Sequence, residues 1–177
     1  MIRNILNFKF LKNGECKSGF TLVELIVYMG ILSILLLVLS EIFVTILDTQ
    51  MESEATSSVE QDGKYILTRV IYDINRAEQV VVPSNLGDQS NNLNIIIDGV
   101  NNIYNNLNNG NLQITNNNGT DNLNSLYTIV SDLQFQKIGN AGGDDTVKIN
   151  FTLTSKTIRK SGPEVRNYQT TAGLRFK

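Results

Sequence analysis

The sequence predicts an α+β chain: one long N-terminal helix, apolar in its first half and amphipathic in its second, followed by antiparallel β-structure. Three observations carry that expectation. An almost unbroken apolar run extends from Leu25 to Leu47; apolar residues then recur at helical spacing with no proline before Pro83; beyond it, short alternating runs are separated by Asp-Gly and Asn-Gly pairs. At 177 residues there is room for one membrane-length segment and one modest domain. The segments expected are a basic leader (1–19), an apolar helix (20–47), an amphipathic helix (48–82) and a β-rich head (83–177).

Residues 1–19 carry Arg3, Lys9, Lys12 and Lys17 against Glu15, a net of +3; the whole chain is at −2, so residues 20–177 hold −5. A chain lacking the leader is acidic, which disfavours bulk attraction to nucleic acid. The single cysteine, Cys16, lies in the leader, and there is no histidine. The remainder therefore has no disulfide framework, no thiolate or imidazole metal site and no His- or Cys-based triad. An ordinary secretory signal needs a small-residue cleavage site after its apolar core. Here the first alanine is Ala55, and the only small-residue boundary, Ser18-Gly19, precedes the apolar run. Cleavage there would remove the basic part and keep the apolar part.

From Leu25 to Leu47 only Gly30, Ser33, Ser40, Glu41 and Thr45 break the apolar pattern, a length that spans a bilayer at about 20 residues. Cations before it and acids after it place the leader in the cytoplasm and the head outside, by the positive-inside rule. Glu24, just inside this helix, is the anomaly. An acid at bilayer centre costs roughly 2.5–3.5 kcal/mol on insertion scales, and no Lys or Arg lies between Lys17 and Lys64. Glu41 follows about 25 Å further along a helix, at the outer interface if Glu24 is near the inner one.

Val59, Ile66, Val70, Ile71, Ile74, Ala77 and Val81 recur at spacings of three, four and seven, with charges on other faces. The helix is therefore expected from Phe20 to about Val82, about 90 Å in all, with Gly63 as its candidate bend. Residues 85–124 include 16 asparagines. Leu93–Asp98, Asn102–Leu107 and Asn111–Thr115 nevertheless read as strands, with turns at Asp98-Gly99, Asn109-Gly110 and Asn118-Gly119. Tyr127–Ile138, Val147–Leu153 and Tyr168–Phe176 read as three more, joined by a loop through Asp144 and Asp145 and a charged loop, Lys156–Asn167. Asp144 and Asp145 are weak candidates for calcium, since two adjacent acids are not a ligand set. Asn118-Gly119-Thr120 and Asn150-Phe151-Thr152 match the glycosylation pattern and are read as chance matches in an asparagine-rich chain. The cations after Thr146 (Lys148, Lys156, Arg159, Lys160, Arg166, Arg175, Lys177) could complement a neighbouring subunit or bind an anionic surface; a solvated strand face is the favoured reading.

Gly19-Phe20-Thr21-Leu22-Val23-Glu24, preceded by basic residues and followed by the apolar run, resembles the processing signal of type IV pilins and of the pseudopilins of type II secretion and competence systems. The resemblance implies that a membrane-embedded aspartyl prepilin peptidase cleaves after Gly19 and methylates the new amine of Phe20. It also implies that Glu24 serves assembly. A filament of parallel helices could pair the Phe20 amine of one subunit with Glu24 of another, whereas a buried carboxylate without its partner is penalised by several kcal/mol. A second role for Glu24 is to complement the positive end of its own helix.

Beyond residue 82 the likeness is architectural and is closer to minor pilins and J-type minor pseudopilins than to major subunits. Glu41 stands where many major pilins have a helix-bending proline, and the carboxyl-terminal disulfide of many major pilins is missing. The resemblance implies a single-pass protein of the bacterial inner membrane with an extracytoplasmic head. It would join a pilus or pseudopilus through its N-terminal helix, using other pilins and an inner-membrane assembly platform as partners. No cofactor or enzymatic activity is expected, because the head has only scattered Asp, Glu and Lys. DNA as a partner has no supporting residue pattern. The competing class is an uncleaved, signal-anchored extracytoplasmic binding protein or adhesin.

Overall fold

The computed structural model describes residues 19–139 and 143–175. The leader up to Ser18, Asn140–Gly142 of the Asp144 loop, and the last two residues lie outside the described residues. Two compact units are distinguished, Met1–Phe43 and Val44–Lys177. One helix, α1 (Leu22–Arg76), is followed among the described residues by nine strands: β1 (Gln79–Val82), β2 (Gln89–Ser90), β3 (Asn92–Ile97), β4 (Val100–Asn106), β5 (Leu112–Asn116), β6 (Gly119–Asn122), β7 (Thr128–Ile138), β8 (Thr146–Arg159) and β9 (Gly162–Gly173). The layout is α+β, with one long N-terminal helix followed by antiparallel sheets.

Within the first unit, Ser33 Oγ donates to the Met29 carbonyl at 2.8 Å. Ser40 Oγ does the same to Leu36, also at 2.8 Å, so both hydroxyls are satisfied inside their own helix. Every large apolar side chain from Leu22 to Phe43 is at least 48% exposed. The helix is long and apolar enough to cross a membrane.

In the second unit the helix buries Ala55, Val59, Gly63, Ile66, Val70 and Ile74, a stripe at spacings of three and four. It packs with Leu93, Ile95, Tyr104, Leu112, Phe135, Ile149, Phe151 and Leu153 in one core. Two antiparallel sheets supply these residues, ordered β1-β3-β4-β5-β6 and β2-β7-β8-β9. Strict alternation in β8 buries Val147, Ile149, Phe151 and Leu153.

Three expectations are corrected. The helix ends at Arg76, not near Val82, because Val80-Val81-Val82 is a β-branched run that pairs with β3 through Gln79↔Ile96 and Val80↔Ile95. That pairing turns Val80 inward, where helical spacing had favoured Val81. Gly63 lies within the helix, against the Tyr168 ring. Asp98-Gly99 forms the expected hairpin turn with φ of 51° and 72°, but at Asn118-Gly119 the turn residues are Asn117 and Asn118. Gly119 already pairs with Asn116, opening an unexpected strand. Finally, Lys156–Asn167 is no loop: β8 continues to Arg159, β9 starts at Gly162 and the turn between them is Lys160-Ser161.

Candidate functional site

The helix start is built by Thr21. Its carbonyl accepts the Leu25 N–H at 3.1 Å, and its Oγ1 accepts the Glu24 N–H at 3.2 Å. This N-cap satisfies donors that a helix end would otherwise leave open. The spacing Thr21-x-x-Glu24 is that of a capping box, a signal present in the sequence that the reading of Glu24 as an isolated acid missed. Glu24 sits in the first turn, where a negative charge is favoured by the helix dipole.

The Glu24 carboxylate is also engaged. Tyr28, one turn on, donates its hydroxyl to Glu24 Oε1 at 3.2 Å. The Tyr28 ring meets Phe20 edge to face, with centroids 6.0 Å apart and planes at 75°. From Gly19 to Leu47 every residue is exposed except Glu24, which is half-buried. Gly19 has open space where a Cβ would project, and Phe20 is exposed. Gly19, Phe20 and Glu24, expected from the sequence, thus lie in one short segment joined by two residues that were not singled out, Thr21 and Tyr28.

The Asp144–Asp145 loop is placed differently. Asp145 Oδ2 pairs with Lys137 Nζ at 2.9 Å, and no group of three or more His, Cys, Asp or Glu side chains suited to a metal occurs among the described residues. Part of the basic face expected to be solvated is instead ion-paired. Arg166 Nη1 reaches Glu60 at 2.8 Å and its Nε reaches Glu164 at 2.8 Å. Arg159 bridges Glu164 at 2.9 Å and Glu52, while Lys160 pairs with Asp48. Arg159, Lys160 and Arg166 of the β8–β9 hairpin therefore complement acids of α1. A cavity of about 850 Å³ in the head is lined by residues that include Asn106, Asn109, Ser131 and Gln134, with Asp132 its one titratable side chain.

The family model described as the prokaryotic N-terminal methylation motif matches residues 16–40. The chain thus carries a type IV pilin-like methylation motif over the same segment that Thr21, Glu24 and Tyr28 organise. That motif implies processing by prepilin peptidase and pilin-type assembly in general, and with the apolar helix it fits a membrane-anchored protein. Neither the curated proteins nor the solved structures contain a match to this chain.

Proposed function

We propose that this chain is a non-catalytic minor pilin or pseudopilin subunit, cut after Gly19, methylated on Phe20 and assembled at or near the tip of a type IV pilus or a secretion or competence pseudopilus. The observation that carries the reading is the methylation motif over residues 16–40, coinciding with a Thr21-capped helix on which Glu24 is the one half-buried residue up to Leu47. The apolar helix anchors the subunit in the inner membrane as a single pass and later packs among neighbouring pilin helices. Its head stays outside the cytoplasm, and the assembly platform receives the processed subunit. Glu24 then takes the Phe20 amine of another subunit as its missing cation.

Mass spectrometry of the protein from cells that contain the peptidase is expected to find methylphenylalanine at position 20 as the amino terminus. An intact Met1 start would sink the reading and favour the signal-anchored binding protein. Glu24→Ala is expected to leave cleavage and membrane insertion unchanged while lowering recovery in sheared filaments at least about ten-fold, since each 1.4 kcal/mol is a factor of ten.

A further inference from the structure

The Glu24 carboxylate must survive in the membrane before any neighbour supplies a cation. We propose that Tyr28 is the positioning residue that carries it through that interval, an inference that rests on the filament reading above. The Tyr28 hydroxyl donates to Glu24 Oε1 at 3.2 Å. A hydrogen bond from a neutral donor to a carboxylate is charge-assisted and strengthens in low dielectric. A carboxylate has about four acceptor sites on its two oxygens, so this bond occupies one and leaves Oε2 for an incoming amine.

The same ring also meets the residue whose amine this subunit would offer to a neighbour's Glu24. Phe20 packs edge to face on Tyr28 at 6.0 Å, so the residue bearing the new amine and the residue bearing the acid are both held by one aromatic side chain. Phe20, Leu25, Tyr28, Met29 and Leu32 line a shallow apolar groove around this contact. Thr21 fixes the Glu24 backbone from the other side through the Glu24 N–H. Backbone, carboxylate and amine-bearing residue are thereby ordered before assembly, which lowers what the pairing step must still fix.

Tyr28→Phe keeps the ring, and with it the Phe20 contact and the helix, and removes only the donor. In the full chain, labelled with carboxyl-¹³C glutamate and reconstituted in lipid bicelles, the Glu24 resonance is identified by its loss in Glu24→Gln. Tyr28→Phe is expected to shift that resonance, leave cleavage after Gly19 unchanged and reduce recovery in sheared filaments roughly five- to ten-fold. It should add no further loss on top of Glu24→Gln. An unmoved resonance, or an additive loss in the Glu24→Gln background, overturns the proposal, since either marks Tyr28 as a membrane-interface aromatic only. If the resonance moves while Glu24→Ala and Tyr28→Phe both enter filaments like wild type, the filament reading has failed and the assembly role falls with it. If Glu24→Ala is lost from filaments but Tyr28→Phe is not, the inference about Tyr28 alone has failed.

Discussion

The Tyr168 ring lies directly on Gly63. A Cβ at position 63 would stand 2.2 Å from Tyr168 Cζ and 2.5 and 2.6 Å from its two Cε atoms. The ring is tethered there, because its hydroxyl donates to the Val59 carbonyl at 2.9 Å and it stacks on Phe151 with centroids 5.3 Å apart. Glycine is therefore required for close approach in the middle of a helix that would otherwise prefer alanine by about 1 kcal/mol. Gly63→Ala must displace a doubly held ring, an overpacking change of about 1–3 kcal/mol. Set against the alanine preference, this leaves an expected net loss of up to about 2 kcal/mol, read as a lower urea midpoint of the detergent-solubilised full chain by near-ultraviolet circular dichroism. A stabilised variant would contradict the packing. Tyr168→Ser in the same background should erase the penalty.

Asp62 ties the β6–β7 connection to the helix. Its Oδ2 accepts from the Ser125 N–H at 2.9 Å, the Ser125 hydroxyl at 2.7 Å and the Thr128 hydroxyl at 2.5 Å. Asp62→Ala leaves three donors without their acceptor, at a cost of about 1–3 kcal/mol for groups that stay desolvated. Amide hydrogen exchange should rise first at Ser125 and its neighbours. Unchanged protection there would show that the connection is held by Asn124 alone, which accepts from Leu112 N–H at 2.8 Å and donates to the Thr128 carbonyl at 3.0 Å.

What could be read from sequence followed periodicity, and what could not depended on charge pairing. The stripe through Val59, Ile66, Val70 and Ile74 and the alternation Val147-Ile149-Phe151-Leu153 were legible because one buried face imposes a period. The β8–β9 extension was not, since Arg159, Lys160 and Arg166 resemble a charged loop until Glu52, Asp48 and Glu60 of a distant segment are set opposite them. Val80-Val81-Val82 fits a helical and a strand reading equally in register, and only pairing with β3 decides it. At the candidate site, Gly19, Phe20 and Glu24 stood out by type and spacing. The spacing Thr21 to Glu24 to Tyr28 was equally visible, but a helix cap and an i,i+4 hydroxyl acquire meaning only once the helix start is fixed at Leu22.

The hairpin ladder predicts unequal consequences for similar substitutions. Arg159 is 13% exposed and its partner Glu164 15%; Arg159→Met would strand a largely buried carboxylate, leaving it only Arg166, at about 1–3 kcal/mol. Lys160 is 75% exposed in its pair with Asp48, so Lys160→Ala should fall within about 0.5 kcal/mol and the difference should vanish at high salt. Glu60 lies below the usual carboxylate range, first through its hydrogen bond from Arg166 and then through the charge of Lys64. Its contribution is present above the ordinary value of about 4.3 and lost as pH falls through the lowered one. Arg166→Gln should return the Glu60 titration, followed by carboxyl NMR, toward the ordinary range. Equal stability losses for Arg159→Met and Lys160→Ala would refute the ranking by burial.

The alkaline limit of the head is expected to lie with Tyr104. This fully buried ring donates its hydroxyl to Asp73, itself 2% exposed, and Asp73 also accepts from Arg69 Nε at 2.9 Å. Burial first, and then the negative charge of Asp73, push the phenol well above its usual range. A group whose folded pKa is raised stabilises fully below its unfolded pKa, here about 10, and loses that contribution as pH climbs beyond it. The unfolded chain releases the proton while the folded one cannot, so stability should fall by up to about 1.4 kcal/mol per pH unit above 10. Tyr168 shifts the same way, again mainly by burial, and remains in both proteins of the comparison. Tyr104→Phe should therefore cost about 1–2 kcal/mol at pH 7, where Asp73 loses one donor and keeps Arg69, yet flatten the decline from pH 10 to 11. Urea midpoints measured for both proteins across pH 8–11 decide it: parallel curves would mean that Tyr104 ionises as readily in the folded head as in the unfolded chain.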